Sequence, residues 1–210
     1  MILYTQCYQC DDAERHKELN FCRSHNRQNK AFSRTVILDG SHKRITYQEF
    51  IDHANRNFPN KTIVIANSDI YFDETIGLLS NKNLNGLFLA LTRVEPFGGF
   101  NFDGQMVRVG TSFKLYSGSQ DVWIFRAPIA LNNADLELGV QGCDNRITFE
   151  AVKSGLKVFN WALDIHCYHK HAGSYRTWQD KKLAYQGGRL LPKLTFMSDM
   201  LPDYTTVGSL

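Results

Sequence analysis

The chain has 210 residues, with 24 Lys and Arg against 21 Asp and Glu and a formal net charge of +3. That length fits one good-sized domain, and 43% hydrophobic with 21% charged residues excludes a disordered chain. The near balance of charge argues against a protein that coats nucleic acid, and the longest uncharged apolar stretch, Gly86 to Leu91, is about a third of a bilayer span. Met1-Ile2-Leu3-Tyr4 lacks the basic start of a secretory signal, and an odd five cysteines read as reduced thiols in the cytoplasm. Cys7 and Cys10 form a single C-x-x-C, with no second pair to complete a zinc site.

In chain order, Ile2 to Tyr8 reads as a strand and Asp11 to Asn26 as a helix with acids at its start. Thr35 to Leu38 is β-branched and ends at Asp39-Gly40, a strand running into a turn. Thr46 and Glu49 form a capping-box pattern opening a helix to Asn57. Thr62 to Ala66 is apolar throughout, as in a strand buried on both faces. A short helix is expected over Asp73 to Leu79 and another buried strand over Leu87 to Thr92. Phe97 to Gly118, rich in Gly, Phe and polar residues, reads as a loop or hairpin. Val122 to Phe125 reads as a strand, Asn145 to Ser154 as a helix and Lys157 to Tyr168 as mostly strand. From Lys181 the mixture of Gly-Gly, prolines and scattered hydrophobes reads as a tail or linker, 181–210, behind a domain of 1–180. Alternating β and α elements predict an α/β sheet, with a less regular mixed-sheet extension. Ligands of such sheets sit beyond the carboxyl ends of the strands.

Those strand ends carry Thr5-Gln6-Cys7-Tyr8, Asp39 and Asn67-Ser68-Asp69. Asp69 follows an apolar strand with no local cation beside it. It is either the cap of the helix that starts nearby or a ligand for a divalent cation that also meets a diphosphate. His169 and His171 share a face if extended, whereas His166 has the opposite parity. Asp144 precedes a helix, as its N-cap or as a carboxylate facing the cleft. Gln120-Asp121-Val122-Trp123 brings a polar pair and an aromatic into a strand.

The run TIVIANSDIYFDETI resembles the metal-binding segment of GT-A-fold glycosyltransferases, with Asn-Ser-Asp where that family carries Asp-x-Asp. AERHKELNFCRSHN, RITYQEFIDHAN, SQDVWIF, GCDNRITFEAVKSGLKVFN and YHKHAGSYR follow the family's order and cover most of residues 1–180. The resemblance implies a Rossmann-like, mostly parallel mixed sheet flanked by helices. It also implies transfer of a hexose or deoxyhexose (glucose- or rhamnose-type) from a UDP-sugar to a glycan acceptor, with Mn²⁺ or Mg²⁺ and a monomeric domain. Carried onto this chain, it gives Thr5, Gln6, Cys7, Tyr8, Tyr47 and Ser68 to the nucleotide, Asn67 to the ribose or the metal, and Asp39 to the uracil imide hydrogen. Asp69 becomes the principal metal ligand, completed by His169 or His171. Asp121 and Trp123 would border the sugar, and Asp144 matches the family's acidic residue on the acceptor side. Asn67 in place of an acid removes one charge from the metal site, and Trp161 stands where relatives often have proline.

The chemistry matches this inventory. A cation stabilises the departing diphosphate; a carboxylate takes the acceptor's proton in an inverting transfer, or the phosphate itself does in a retaining one. Two rivals are a carbohydrate-binding module, using Trp123, Trp161 and Trp178, and a metal-dependent phosphoesterase, which normally needs more acidic ligands.

Overall fold

Ile2–Cys7 forms β1. Asp12 caps α1, Ala13–Gln28, by accepting the Arg15 backbone N–H. β2 is Arg34–Asp39, and the Thr46/Glu49 capping box opens α2, Tyr47–Asn57. β3, Thr62–Ala66, runs into the Asn67–Asp69 turn, and β4 is Ile70–Phe72. The expected short helix is a 3-10 helix, Glu74–Asn81, and its cap is Asp73, which leaves Asp69 for another role. There follow β5 (Leu87–Leu91), β6 (Val94–Pro96), β7 (Met106–Val109), β8 (Phe113–Tyr116), β9 (Val122–Arg126) and α3 (Cys143–Lys153). The last strands are β10 (Lys157–Phe159), β11 (Cys167–His169), β12 (Arg189–Pro192) and β13 (Tyr204–Val207). The computed structural model describes residues 1–96, 106–109, 113–170 and 188–207.

A central six-stranded sheet has the order β10-β5-β9-β3-β1-β2. β1 pairs in parallel with β2 and β3, and β5 with β10, whereas β9 runs antiparallel to both of its neighbours. The sheet is therefore mixed, and helices flank it. Successive side chains of β3 serve opposite faces: Ile63 and Ile65 join Tyr4, Phe50, Trp123 and Phe149 on the side of α2 and α3. Val64 and Ala66 join Leu89, Ile124, Phe72 and Ile76 on the other. Burial on both faces is what its uninterrupted apolar run requires.

The irregular extension is a second sheet, β4-β11-β6-β8-β7, which includes the β7/β8 hairpin expected after Pro96. Strand structure does not run through 157–168. β10 stops at Phe159, and the buried Asn160 side chain turns inward, accepting Thr92 N–H at 3.0 Å and donating to Thr92 Oγ1 at 2.9 Å. β11 begins only at Cys167. The expected tail is also corrected over 188–207: β12 pairs with β13, Leu190 is fully buried in the core, and Thr195 N–H donates to Asn160 O. Gly188 lies against α3, where a Cβ would stand 2.2 Å from the Phe149 ring. No helix among the described residues is long and apolar enough to cross a membrane, and all five cysteines are free.

Candidate active site

Because β1, β2 and β3 are parallel, their carboxyl ends lie at one edge of the sheet. Close approach there depends on Gly40, whose N–H donates to Cys7 O and whose Cβ, if present, would stand 2.7 Å from that oxygen. Asp39, paired with Cys7 in the ladder, is exposed. Its Oδ1 accepts Ser41 Oγ (2.5 Å), Ser41 N–H (3.0 Å) and Cys7 Sγ (3.5 Å). Those bonds, Ser41's first, hold its carboxyl below the usual range.

The Asn67–Asp69 turn is tied down residue by residue. Asn67 N–H donates to Asp121 O, and its side-chain amide to Asp121 Oδ1 at 2.6 Å. Ser68 Oγ donates to Gln6 O at 2.7 Å and accepts from Thr5 Oγ1 at 3.4 Å. These bonds aim Asp69 away from the sheet, where Arg15 of α1 meets its Oδ2 at 2.6 Å and His169 Nε2 stands 3.1 Å from the same oxygen. The sequence shows no neighbouring cation; the fold supplies two. Arg15 also donates to Tyr8 Oη (3.0 Å) and pairs with Glu18 (2.9 Å).

On the far side of His169, Nδ1 lies 2.9 Å from Glu95, which accepts Arg93 Nε at 2.5 Å; Arg93 in turn pairs with Asp121. A continuous polar chain thus runs Tyr8–Arg15–Asp69–His169–Glu95–Arg93–Asp121–Asn67. Burial alone would lower the His169 pKa, but the Asp69 carboxylate and hydrogen bonds to Asp69 and Glu95 outweigh it and raise it to about 9. Burial likewise works against Glu95, yet His169 and Arg93 hold it down at about 2.

Asp144 is in the first turn of α3 but is not its cap; that place belongs to Gly142 at φ 85°, a left-handed position suited to glycine. Asp144 Oδ2 instead accepts the Gln120 N–H at 3.2 Å, next to Asp121. Burial first, then the Asp121 charge, raises its carboxyl to about 6.

Several expected site residues stand elsewhere. Trp123 and Tyr47 pack edge to face in the core, at 0% and 1% exposure, and cannot border a sugar as placed. Gln6 is buried, with its amide committed to Leu138 O and Ile45 N. His166 precedes β11 and stands 3.7 Å from Asp73. His171 lies outside the described residues, as does Trp178. Three residues of the chain were missed: Arg15, Arg93 and Glu95. One signal existed for the first, since α1 buries Arg15, Glu18 and Asn26 where an amphipathic helix should bury apolar residues.

Asp69 and His169 are two groups of the kind that ligate a divalent cation, although Arg15 here holds the same Asp69 oxygen at 2.6 Å. Asp69 Oδ2 and His169 Nε2 are 3.1 Å apart, close to the ~3 Å between neighbouring ligands of an octahedral Mg²⁺-like ion. Glu95 on the other imidazole nitrogen is the second carboxylate that ligating histidines usually have. Among the described residues no three His, Cys, Asp or Glu side chains form a metal-binding group, so the remaining ligands would come from phosphate oxygens and water. An open cleft lined by Asn60, Arg126 and Pro128 lies at the opposite edge of the sheet, where β9 ends, and takes no part in this. Neither the models of known protein families nor the curated proteins contain a match to the chain.

Proposed function

We propose that the chain is a metal-dependent glycosyltransferase of the GT-A type, moving a hexose or deoxyhexose of the glucose or rhamnose kind from a UDP-sugar to a glycan hydroxyl. The observation that carries the reading is the meeting of Asp69 and His169, backed by Glu95, at the sheet edge that also presents Tyr8 and Asp39. The ordered resemblance along residues 1–180 supports it.

In this reading the three hydrogen bonds on Asp39 use Oδ1, and its other oxygen receives the uracil imide hydrogen. Asp69 Oδ2 and, once deprotonated, His169 Nε2 would hold Mn²⁺ or Mg²⁺, with Glu95 orienting the imidazole through Nδ1. The cation supplies Lewis-acid stabilisation of the leaving diphosphate. Arg15, at that edge on Asp69, Glu18 and Tyr8, would be the cation to meet a phosphate oxygen. The anomeric bond to the diphosphate breaks, the acceptor oxygen bonds to that carbon, and the hydroxyl proton leaves. In an inverting transfer Asp144, at about 6, takes that proton; in a retaining one the departing phosphate takes it, and Asp144 and Asp121 orient groups.

Both rivals lose ground: two of the three tryptophans expected of a binding module, Trp123 and Trp161, are buried, and among the described residues Asp69 meets one histidine and no cluster of acids. A thermal-shift series with UDP, Mn²⁺ and both together separates the three. Synergy supports the transferase, stabilisation by metal alone a phosphoesterase, and no response a binding module. A UDP-sugar panel scored for transfer or slow hydrolysis then identifies the donor.

A further inference from the structure

β9 runs antiparallel between β5 and β3, so its last residue, Arg126, emerges at the amino-terminal ends of those strands. It pairs there with Thr62, and Lys157 pairs with Leu87 where β10 and β5 begin. Five strand steps, about 17 Å, separate Arg126 from Asp121 at the opposite edge. Here lies the open cleft, of about 400 Å³, lined by Arg126, Asn60, Asn85 and Ser154 and by the apolar Pro128 and Ile129. Its walls are pinned. Asn60 N–H donates to Ala127 O at 2.9 Å, and Ala127 N–H to Lys61 O at 3.0 Å. The Asn55 side chain donates to Ile129 O at 2.7 Å and accepts Ile129 N–H at 3.1 Å. Lys157 N–H donates to Gly86 O at 2.9 Å.

The polar groups on those walls keep donors to spare. Among the described residues the Arg126 guanidinium has no ion pair or hydrogen bond, and the Asn60 and Asn85 side-chain amides have no partner. Ser154 Oγ accepts Asn132 N–H at 3.1 Å, which leaves its own hydrogen to donate. The segments around the cleft, 57–62, 81–87, 126–131 and 153–157, hold Lys61, Lys82, Arg126, Lys153 and Lys157 and no Asp or Glu. That local charge exceeds the +3 of the whole chain. The carboxyl end of α3, whose carbonyls would repel an anion, is closed there by Ser154, Gly155 and Leu156 N–H.

We propose that this cleft binds a phosphate monoester, at a site separate from the candidate active site and independent of the transferase reading. A phosphate monoester is nearly a dianion at neutral pH and offers three acceptor oxygens. A guanidinium takes two of them in parallel, and the amide and hydroxyl donors on the same walls suit the third. A cleft bordered by one sign of charge concentrates its field on such a group. A cation would meet Arg126 and no carboxylate, and a purely apolar ligand would bury the guanidinium unpaired. A bare phosphate fills little of a cleft this size, so the ester's organic group lies against Pro128 and Ile129.

Titration of the whole chain with a hexose 6-phosphate, the same hexose unphosphorylated, and vesicles with and without phosphatidic acid tests this. The expected result is phosphate-dependent binding that weakens at least tenfold in Arg126→Met and measurably in Asn60→Gly. Both variants keep the fold: Met retains the apolar stem of Arg126, and Asn60 stands at φ 62°, which glycine adopts freely. Binding of the hexose phosphate upholds the site with a soluble ligand. Binding of phosphatidic acid vesicles alone, lost in Arg126→Met, upholds it with a lipid headgroup as the source. Failure of both phosphates to bind, binding indifferent to both substitutions, or equal binding of the unphosphorylated hexose overturns the proposal. The UDP–Mn²⁺ thermal shift should be the same in Arg126→Met as in the parent chain, and its loss there would overturn the separation of the two sites.

Discussion

The Asn67 amide donates to the Asp121 carboxylate at 2.6 Å, and this bond explains why an amide stands where an Asp-x-Asp motif would put an acid. Asp121 already faces Arg93 on its other oxygen. An acid at 67 would set two carboxylates in contact, and one of them would have to stay protonated.

Asn67→Asp should therefore destabilise the chain at pH 8 by roughly 2 kcal/mol, from the lost bond and the like charge, and by much less at pH 4. The new carboxyl has a raised pKa in the folded state, so its cost builds above the unfolded value of about 3.9 and is complete once pH passes the raised folded value. Thermal midpoints at the two pH values check this, and an equal loss at both would remove the charge argument.

Asp69→Asn should nearly abolish Mn²⁺-dependent transfer, costing several kcal/mol of transition-state stabilisation. Arg15 retains Glu18 and Tyr8 in the variant, so the fold should persist. Circular dichroism with an assay of UDP-sugar turnover decides the matter; a folded, fully active variant defeats the assignment.

The raised His169 pKa has a definite sign. In the metal-free chain its pairing contributes stability that is complete below the unfolded value of about 6.5 and is lost as pH rises through about 9. Mn²⁺ affinity should run the other way, rising across that window as the Nε2 proton leaves. Glu95→Gln should shift both curves to lower pH, because it removes one of the carboxylates that hold the proton. Chemical denaturation and calorimetry between pH 6 and 10 measure both.

Asp144→Asn should remove the limb near pH 6 from the rate profile of an inverting enzyme and lower the rate at least a hundredfold. It should also raise stability at pH 8, since ionising a carboxyl with an elevated folded pKa costs stability above that pKa, and the gain should vanish near pH 4. A variant of unchanged rate and altered stability would confine Asp144 to a structural role.

What could be read from the chain alone was local. The β3 run and the Thr46/Glu49 box each rest on neighbours within a few residues. The polar chain at the sheet edge does not. Arg15 reaches Asp69 across 54 positions, Glu95 reaches His169 across 74, and Arg93 reaches Asp121 across 28. Asp69 consequently read as an unpaired carboxylate although it faces an arginine and a histidine. The family resemblance put Trp123 beside the sugar, yet on β9 its side chain enters the core cluster and packs edge to face on Tyr47 of α2.

The contact between Gly188 and Phe149 sets a rule for mutational tolerance. Gly188 directly precedes β12, which packs on α3. The obstacle to a side chain there is the phenyl ring, 2.2 Å from any added methyl and itself 2% exposed. Position 188 should accept only glycine in a saturation screen, and the restriction should lift when Phe149 is shortened. The two sites form a suppressor pair, and its recovery would register the strand after Gly188 against α3 in solution.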